Sequence, residues 1–267
     1  MLRSRIIPLL LLSNNDLIKT INFKSDKYIG DPMNAVRIFN EKEADELIVA
    51  DINASSSKKE PNYELIKNLA RECRMPLCYA GGINNVETVE KIISLGVEKV
   101  AIGSAAVENI NLIYEAKKRL GSQSVVMVLD IKKTGPEGAH TLFIKNGTHN
   151  TNLNPMLIAK EAEDAGAGEI FVNSIDNDGL MNGYDIEIIR KIRSVINIPM
   201  TVVGGAGNLL DIRNLIKLFG PIGASAGSLF VFKGKLKAVL INYPNKEIKD
   251  EICIIKDWLI WSKYYKI

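Results

Sequence analysis

The 267-residue chain is poor in the residue types that most often carry dedicated chemistry, with two histidines, three cysteines and only 6% aromatic residues. Cys73, Cys78 and Cys253 make an odd number and match neither a disulfide framework nor a zinc spacing. They are expected to be reduced and structural, which points to the cytoplasm. His140 and His149 lie in EGAHTLFIKNGTHNTN, a hairpin pattern with Asn146-Gly147 at its turn. Neither has a partner at triad or ligand spacing, so both are read as exposed loop residues. No metal and no cofactor are expected. The chain also lacks any run of about eighteen apolar residues, and its apolar start IIPLLLL passes into polar SNND without a small-residue cleavage site. A membrane span and a signal peptide are therefore not expected. A formal charge of +3 is too small to argue for nucleic acid. From Val231 onward there are eight lysines against four acids, so the surplus belongs to the tail.

What is present is a folded composition, 46% hydrophobic and 24% charged, arranged as alternating apolar runs and helical stretches. Eight strands are expected at Arg5–Leu11, Glu46–Ile52, Pro76–Ala80, Lys99–Gly103, Val125–Ile131, Glu169–Ser174, Pro199–Val203 and Ile222–Ala226. Between them, three- and four-residue spacing predicts helices at Tyr63–Arg74, Val86–Leu95, Asn109–Leu120, Pro155–Ala165, Asp185–Val195 and Leu209–Phe219. Another helix should follow Asp31-Pro32, and Gly96 and Gly166 mark helix ends.

An internal repeat specifies the architecture. Glu46 falls on Glu169, Ile66 on Ile189, Leu69 on Ile192, Pro76 on Pro199 and Gly81 on Gly204, a constant offset of 123 residues. Two copies of a four-strand βα unit predict an α/β fold, a (β/α)8 TIM barrel over residues 1–232, with half-barrels of about 1–120 and 121–232. An open doubly wound sheet is the competing arrangement. Residues 233–267 form a C-terminal extension, expected to pack on the barrel. Within it Ile248, Ile252, Ile255, Leu259 and Ile260 sit near helical spacing, with Trp258 and Trp261 beside them and Cys253 in the same pattern.

In such a barrel function sits where the βα loops begin. The repeat places Gly81-Gly82 and Gly204-Gly205 there, followed at the next strand ends by Gly103-Ser104 and Gly227-Ser228. Glycine backbone can approach an anion closely, so these residues, with Gly179, are read as two phosphate cups for an elongated ligand phosphorylated at each end. Tight strand-to-loop turns are the other reading of the same glycines. Asp176-Asn177-Asp178-Gly179 lacks the remaining ligands of a calcium loop.

Taken in order, RIIPLLLLSNNDLIKTINF, ADELIVADINAS, YAGGINNVETVEKIISLGVEKVAIGSAAVEN, AGAGEIFVNSIDNDG, NGYD and VVGGAG resemble HisF, the cyclase subunit family of imidazole glycerol phosphate synthase. The likeness spans residues 1 to about 232. It implies a barrel that docks a HisH-type glutaminase as a heterodimer on its N-terminal face and passes ammonia to a phosphorylated small molecule at the C-terminal face. It also implies a charged gate at the strand starts, which falls here on Arg5, Glu46, Lys99 and Glu169, with Glu98 as a docking contact. Of the family's two catalytic carboxylates the second is present as Asp130, whereas Leu11 occupies the position of the first. Lys19, which the resemblance places in a mobile loop, is retained and can contact a phosphate or a reacting nitrogen. Gly103 stands where the family usually has asparagine.

The segment LFVFKGKLKAVLINYP and the leucine-rich first strand are similar to a HisF-like branch associated with acetamidino modification of nucleotide sugars for O-antigen, pseudaminic or legionaminic acid type glycans. That resemblance implies ammonia supply to a separate downstream amidotransferase. Two alternatives stand beside it: a cyclase converting PRFAR and ammonia to imidazole glycerol phosphate and AICAR in histidine biosynthesis, and a non-catalytic scaffold that activates the glutaminase.

Overall fold

The computed structural model describes residues 3–54, 59–135 and 138–253. Eight parallel strands form the wall: β1 (Arg5–Ser13), β2 (Leu47–Asp51), β3 (Leu77–Ala80), β4 (Lys99–Ile102), β5 (Val125–Thr134), β6 (Glu169–Ser174), β7 (Met200–Val203) and β8 (Gly223–Ala226). Each pairs with the next, and β8 returns to β1 with Arg5 opposite Gly223, so the sheet has closed on itself. Closure removes the open edges of the doubly wound alternative and fixes the TIM barrel.

Helices cover the outside: α1 (Pro32–Glu41), α2 (Tyr63–Glu72), α3 (Val86–Ser94), α4 (Asn111–Leu120), α5 (Pro155–Ala165), α6 (Ile186–Arg193), α7 (Leu209–Phe219) and α8 (Lys246–Cys253). Their starts are encoded by side chains that accept from first-turn N–H groups: Asp31 before Pro32, Asn62, Asn85, Asn154 before Pro155, Asp185, and Asn208 in a capping box with Asp211. Gly166 ends α5 in the left-handed region.

Strand alternation divides the apolar residues into two cores. Ile6, Leu10 and Leu12 of β1 pack outward against helices, whereas Ile7 joins Ile48, Cys78, Ala101, Val126 and Phe171 inside the barrel. One column of β1 thus runs Arg5, Ile7, Leu9, Leu11 from the bottom of the barrel to its mouth. All three cysteines are free, and burial pushes the Cys253 thiol up to about 11, in keeping with packed, protonated sulfur.

Residues 243–253 are tied to the barrel floor. The Tyr243 hydroxyl donates to the Ile6 carbonyl at 2.8 Å, Lys249 pairs with Asp45 at 2.9 Å, and Ile252 and Cys253 join the outer core. The amphipathic pattern expected over Ile255–Trp261 lies outside the described residues.

Two hairpins extend the strand ends. β1 continues through Asn14-Asn15 into a pair of strands, Asp16–Ile21 and Lys24–Gly30, which replaces the loop expected around Lys19. Beyond β5, Ala139–Ile144 pairs with His149–Asn150 around the expected Asn146-Gly147 turn.

The loop after β7 depends on glycine. Gly205 has φ +112°, and a Cβ there would overlap the Gly183 carbonyl oxygen. We predict that Gly205→Ala destabilises the fold by at least about 1–2 kcal/mol, read as a lower urea midpoint with unchanged m-value; an unchanged midpoint would contradict this packing.

Candidate active site and charged gate

At the barrel floor the four charges that the resemblance implied at the strand starts meet as a closed ring. Arg5 pairs with both Glu46 and Glu169, and Lys99 reaches both carboxylates at 2.9 Å. Glu46 and Glu169 are buried, and Arg5 and Lys99 are partly so. Burial works against ionisation of Glu169, but Arg5 and Lys99 outweigh it and hold that carboxyl below the ordinary range. Burial opposes charge on Arg5 and Lys99 as well, and their carboxylate partners overcome it. The Thr201 hydroxyl completes the shell of Glu169. Glu98 stays exposed, with one oxygen accepting from Leu77 N–H at 2.7 Å.

At the opposite face a cavity of about 130 Å³ opens at the strand ends, lined by Leu9, Leu11, Ile48, Ala50, Val128 and Phe171 on its apolar side. Its polar groups include Asp130, Asn173, Asp178, Asp51, Ser104 and Thr20. Asp130 is half-buried, and its Oδ1 accepts from Asn173 Nδ2 at 2.8 Å. Burial pushes its pKa up to about 6; the Asn173 bond opposes the shift and the Asp178 charge adds to it. A carboxyl so placed can hold or release a proton near neutrality. Leu11 faces the same cavity 7% exposed and supplies an apolar wall where an acid was expected.

A second cleft adjoins the first through Leu9, Asp178 and Val203, and gathers Gly179, Gly204, Gly205, Gly227, Ser228 and Lys19. The first cavity holds Gly81, Gly103 and Ser104, so the two cups expected from the repeat open onto adjoining spaces. Gly82 is not among the residues lining either one. The positive-φ turns of these glycines also serve packing: a Cβ on Gly81 would overlap the Asp51 carbonyl oxygen.

Lys19 departs from its expected environment. It lies within a strand, 5% exposed, with its ammonium 2.6 Å from Asp178 Oδ1. The other Asp178 oxygen accepts from Thr20 at 2.6 Å and from Phe23 N–H at 3.2 Å. Asn22 adds bonds to the carbonyls of Ile175 and Asp176. One buried carboxylate thereby latches the hairpin over the cleft. Asp16 is exposed at the start of that hairpin and does not line the cavity.

His140 corrects another expectation. It is buried, with Nε2 3.4 Å from Asp185 Oδ2, because its strand pairs with the end of β5 and turns the ring toward the start of α6. His149 is exposed as expected. His140, Asp185 and Glu187 cluster at ligand distance, but Lys133 already places its ammonium 3.5 and 3.4 Å from the two carboxylates. Asp51 and Asn173 carry no motif in the sequence, and Asp178 stands there only within a polar loop; the signal of all three is position, at or just beyond strand ends facing the mouth.

A family profile described as "Histidine biosynthesis protein" matches residues 5–237. The chain is 55% identical over 252 residues to a provisionally named imidazole glycerol phosphate synthase subunit HisF of Leptospira interrogans, covering 94% of this chain and 99% of that protein. It is 52% identical to a similarly named protein of Vibrio vulnificus, over 93% of this chain and 96% of that one. An imidazole glycerol phosphate synthase subunit HisF of Lactococcus lactis is 38% identical over 94% of this chain and its own full length. No described helix is long and apolar enough to cross a membrane.

The raised pKa of Asp130 has a consequence for stability. Its folded value of about 6 lies above the ordinary 3.8, so the native state holds the proton longer and wild-type stability falls as pH rises from about 4 to about 6. We predict that Asp130→Asn removes this dependence and is the more stable protein above pH 6, by up to about 3 kcal/mol. Parallel urea-midpoint profiles against pH for the two proteins would contradict the assignment.

Proposed function

From the premise that this chain belongs to the histidine biosynthesis protein family, we propose that it is the HisF-type barrel of a glutamine amidotransferase complex, passing ammonia from a HisH-type glutaminase to a separate amidotransferase. The observation that carries this reading is the contrast between the barrel's two ends. The floor retains a complete ring of four paired charges, costly to bury without a use. The mouth has Leu11 where the cyclase reaction needs an acid, and a leucine side chain transfers no proton. Between them the interior is mostly apolar, with Ser225 Oγ buried and without a protein partner among the described residues. Such a hydroxyl suits exchange of hydrogen bonds with a small neutral molecule such as ammonia.

In the acceptor reaction the separate amidotransferase transfers a phosphoryl group from a nucleoside triphosphate to the carbonyl oxygen of an acetamido group on a nucleotide sugar, and that oxygen leaves as phosphate, with a proton released, when ammonia attacks the carbon. Ammonia nitrogen takes the oxygen's place, giving an acetamidino group. The barrel contributes delivery, and its two cups and Lys19 hold a phosphorylated ligand at the mouth. On this reading the complex works in the cytoplasm, where nucleotide sugars are made. A second reading has its own support: Asp51 shares the cavity with Asp130, so an acid–base pair for imidazole glycerol phosphate formation could form without residue 11.

The two readings separate in a histidine auxotroph lacking its HisF subunit. We predict that the wild-type chain, co-expressed with its glutaminase, does not restore growth. Leu11→Asp is expected to raise cyclase turnover of the purified complex by about 10²-fold, the lower range of the contribution of a general acid. Restoration of growth by the wild-type chain would overturn the proposal in favour of the cyclase.

A further inference from the structure

The mouth of the barrel carries a surface that the cups do not explain. The hairpin formed by Phe232–Lys233 and Ala238–Val239 reaches back to the hairpin of Asp16–Ile21 and Lys24–Gly30, the lid of the second cleft: Lys27 donates to the Lys237 carbonyl at 3.0 Å and lies 4.9 Å from the Phe232 ring centroid. Lys237 approaches the Gly179 carbonyl at 3.5 Å, at the edge of the second cleft. Lid hairpin, β6 loop and tail hairpin therefore form one continuous rim.

That rim concentrates exposed apolar residues. Ile21, Tyr28, Leu180, Leu236, Val239 and Leu240 are six of the twelve large apolar side chains exposed among the described residues, and Leu236 is 94% exposed at the tip of the tail hairpin. Isolated exposed apolar groups are ordinary, but half of them on three touching segments are not. Around them stand Lys24, Lys27, Lys233, Lys235 and Lys237, against exposed Asp16 and Asp26. Much of the surplus charge of the tail lies here.

We propose that this collar docks the ammonia-accepting amidotransferase through a complementary surface of acidic residues around an apolar centre; the proposal rests on the function argued above. A small phosphorylated ligand gains nothing from Leu236 or Val239, which line neither cavity. An exit that releases neutral ammonia needs a protein cover to keep it from bulk water. Apolar contact holds the partner, and the lysines raise its association rate and make it salt-dependent.

The test uses three purified proteins: this barrel, its glutaminase and the acceptor amidotransferase at limiting concentration. Leu236→Asp and, separately, Lys233→Glu with Lys235→Glu should lower glutamine-driven amidination at least tenfold. Glutamine hydrolysis and amidination driven by ammonium chloride should be unchanged. Equal glutamine-driven rates for wild type and both variants would overturn the docking surface. If the wild-type system gives no glutamine-driven product while ammonium chloride does, the delivery function itself fails and the collar proposal with it. Sedimentation of the wild-type barrel with phosphatidylglycerol vesicles, abolished in variants that still amidate normally, would assign the collar to lipid and also overturn it.

Discussion

The structure depends on one electrostatic constraint, the ring of Arg5, Glu46, Lys99 and Glu169 at the barrel floor. Each carboxylate sits between two cations and each cation between two carboxylates, so no member can leave without stranding its neighbours. Breaking a buried pair by removing one partner typically costs several kcal/mol, whereas the intact arrangement only offsets its desolvation. Stability alone is therefore a weak reason to keep such a ring. On the function proposed above, a path for a small neutral molecule through an otherwise apolar interior supplies the reason.

The ring also explains the barrel's polarity. Strand alternation carries the inward column of β1 from Arg5 through Ile7 and Leu9 to Leu11, so floor and mouth are linked by side chains of one parity. At the mouth burial raises the pKa of Asp130, and the Asp178 charge adds to the shift. Beside it the latch from Asp178 to Lys19 and Thr20 borders the second cleft.

Most of the fold was legible in the sequence because it rests on local periodicity and on a repeat. β6, α5 and α7 begin and end where apolar spacing and caps placed them. The four charges of the floor ring were legible through the family likeness, because they sit at strand starts. The hairpin around Lys19 was missed, although Asn14-Asn15 and Asn22-Phe23, all at positive φ, form two-residue turns that Asn favours. The burial of His140 could not be read locally, since Asp185 is 45 residues away and is brought near by the β5 hairpin. Asp178 was seen as part of a polar loop; its role as latch needs the hairpin folded over it. The basic tail was counted correctly as a source of charge, but its arrival beside the lid emerges only from tertiary contacts.

The central claim is that the floor ring gates delivery to a distant acceptor, and the most direct measurement is the ratio of amidinated product formed to glutamine hydrolysed in the three-protein system. For the wild-type barrel the account predicts a ratio near one, and for Lys99→Ala a severalfold lower ratio with amidination from ammonium chloride retained. A ratio that stays near one in Lys99→Ala would contradict it.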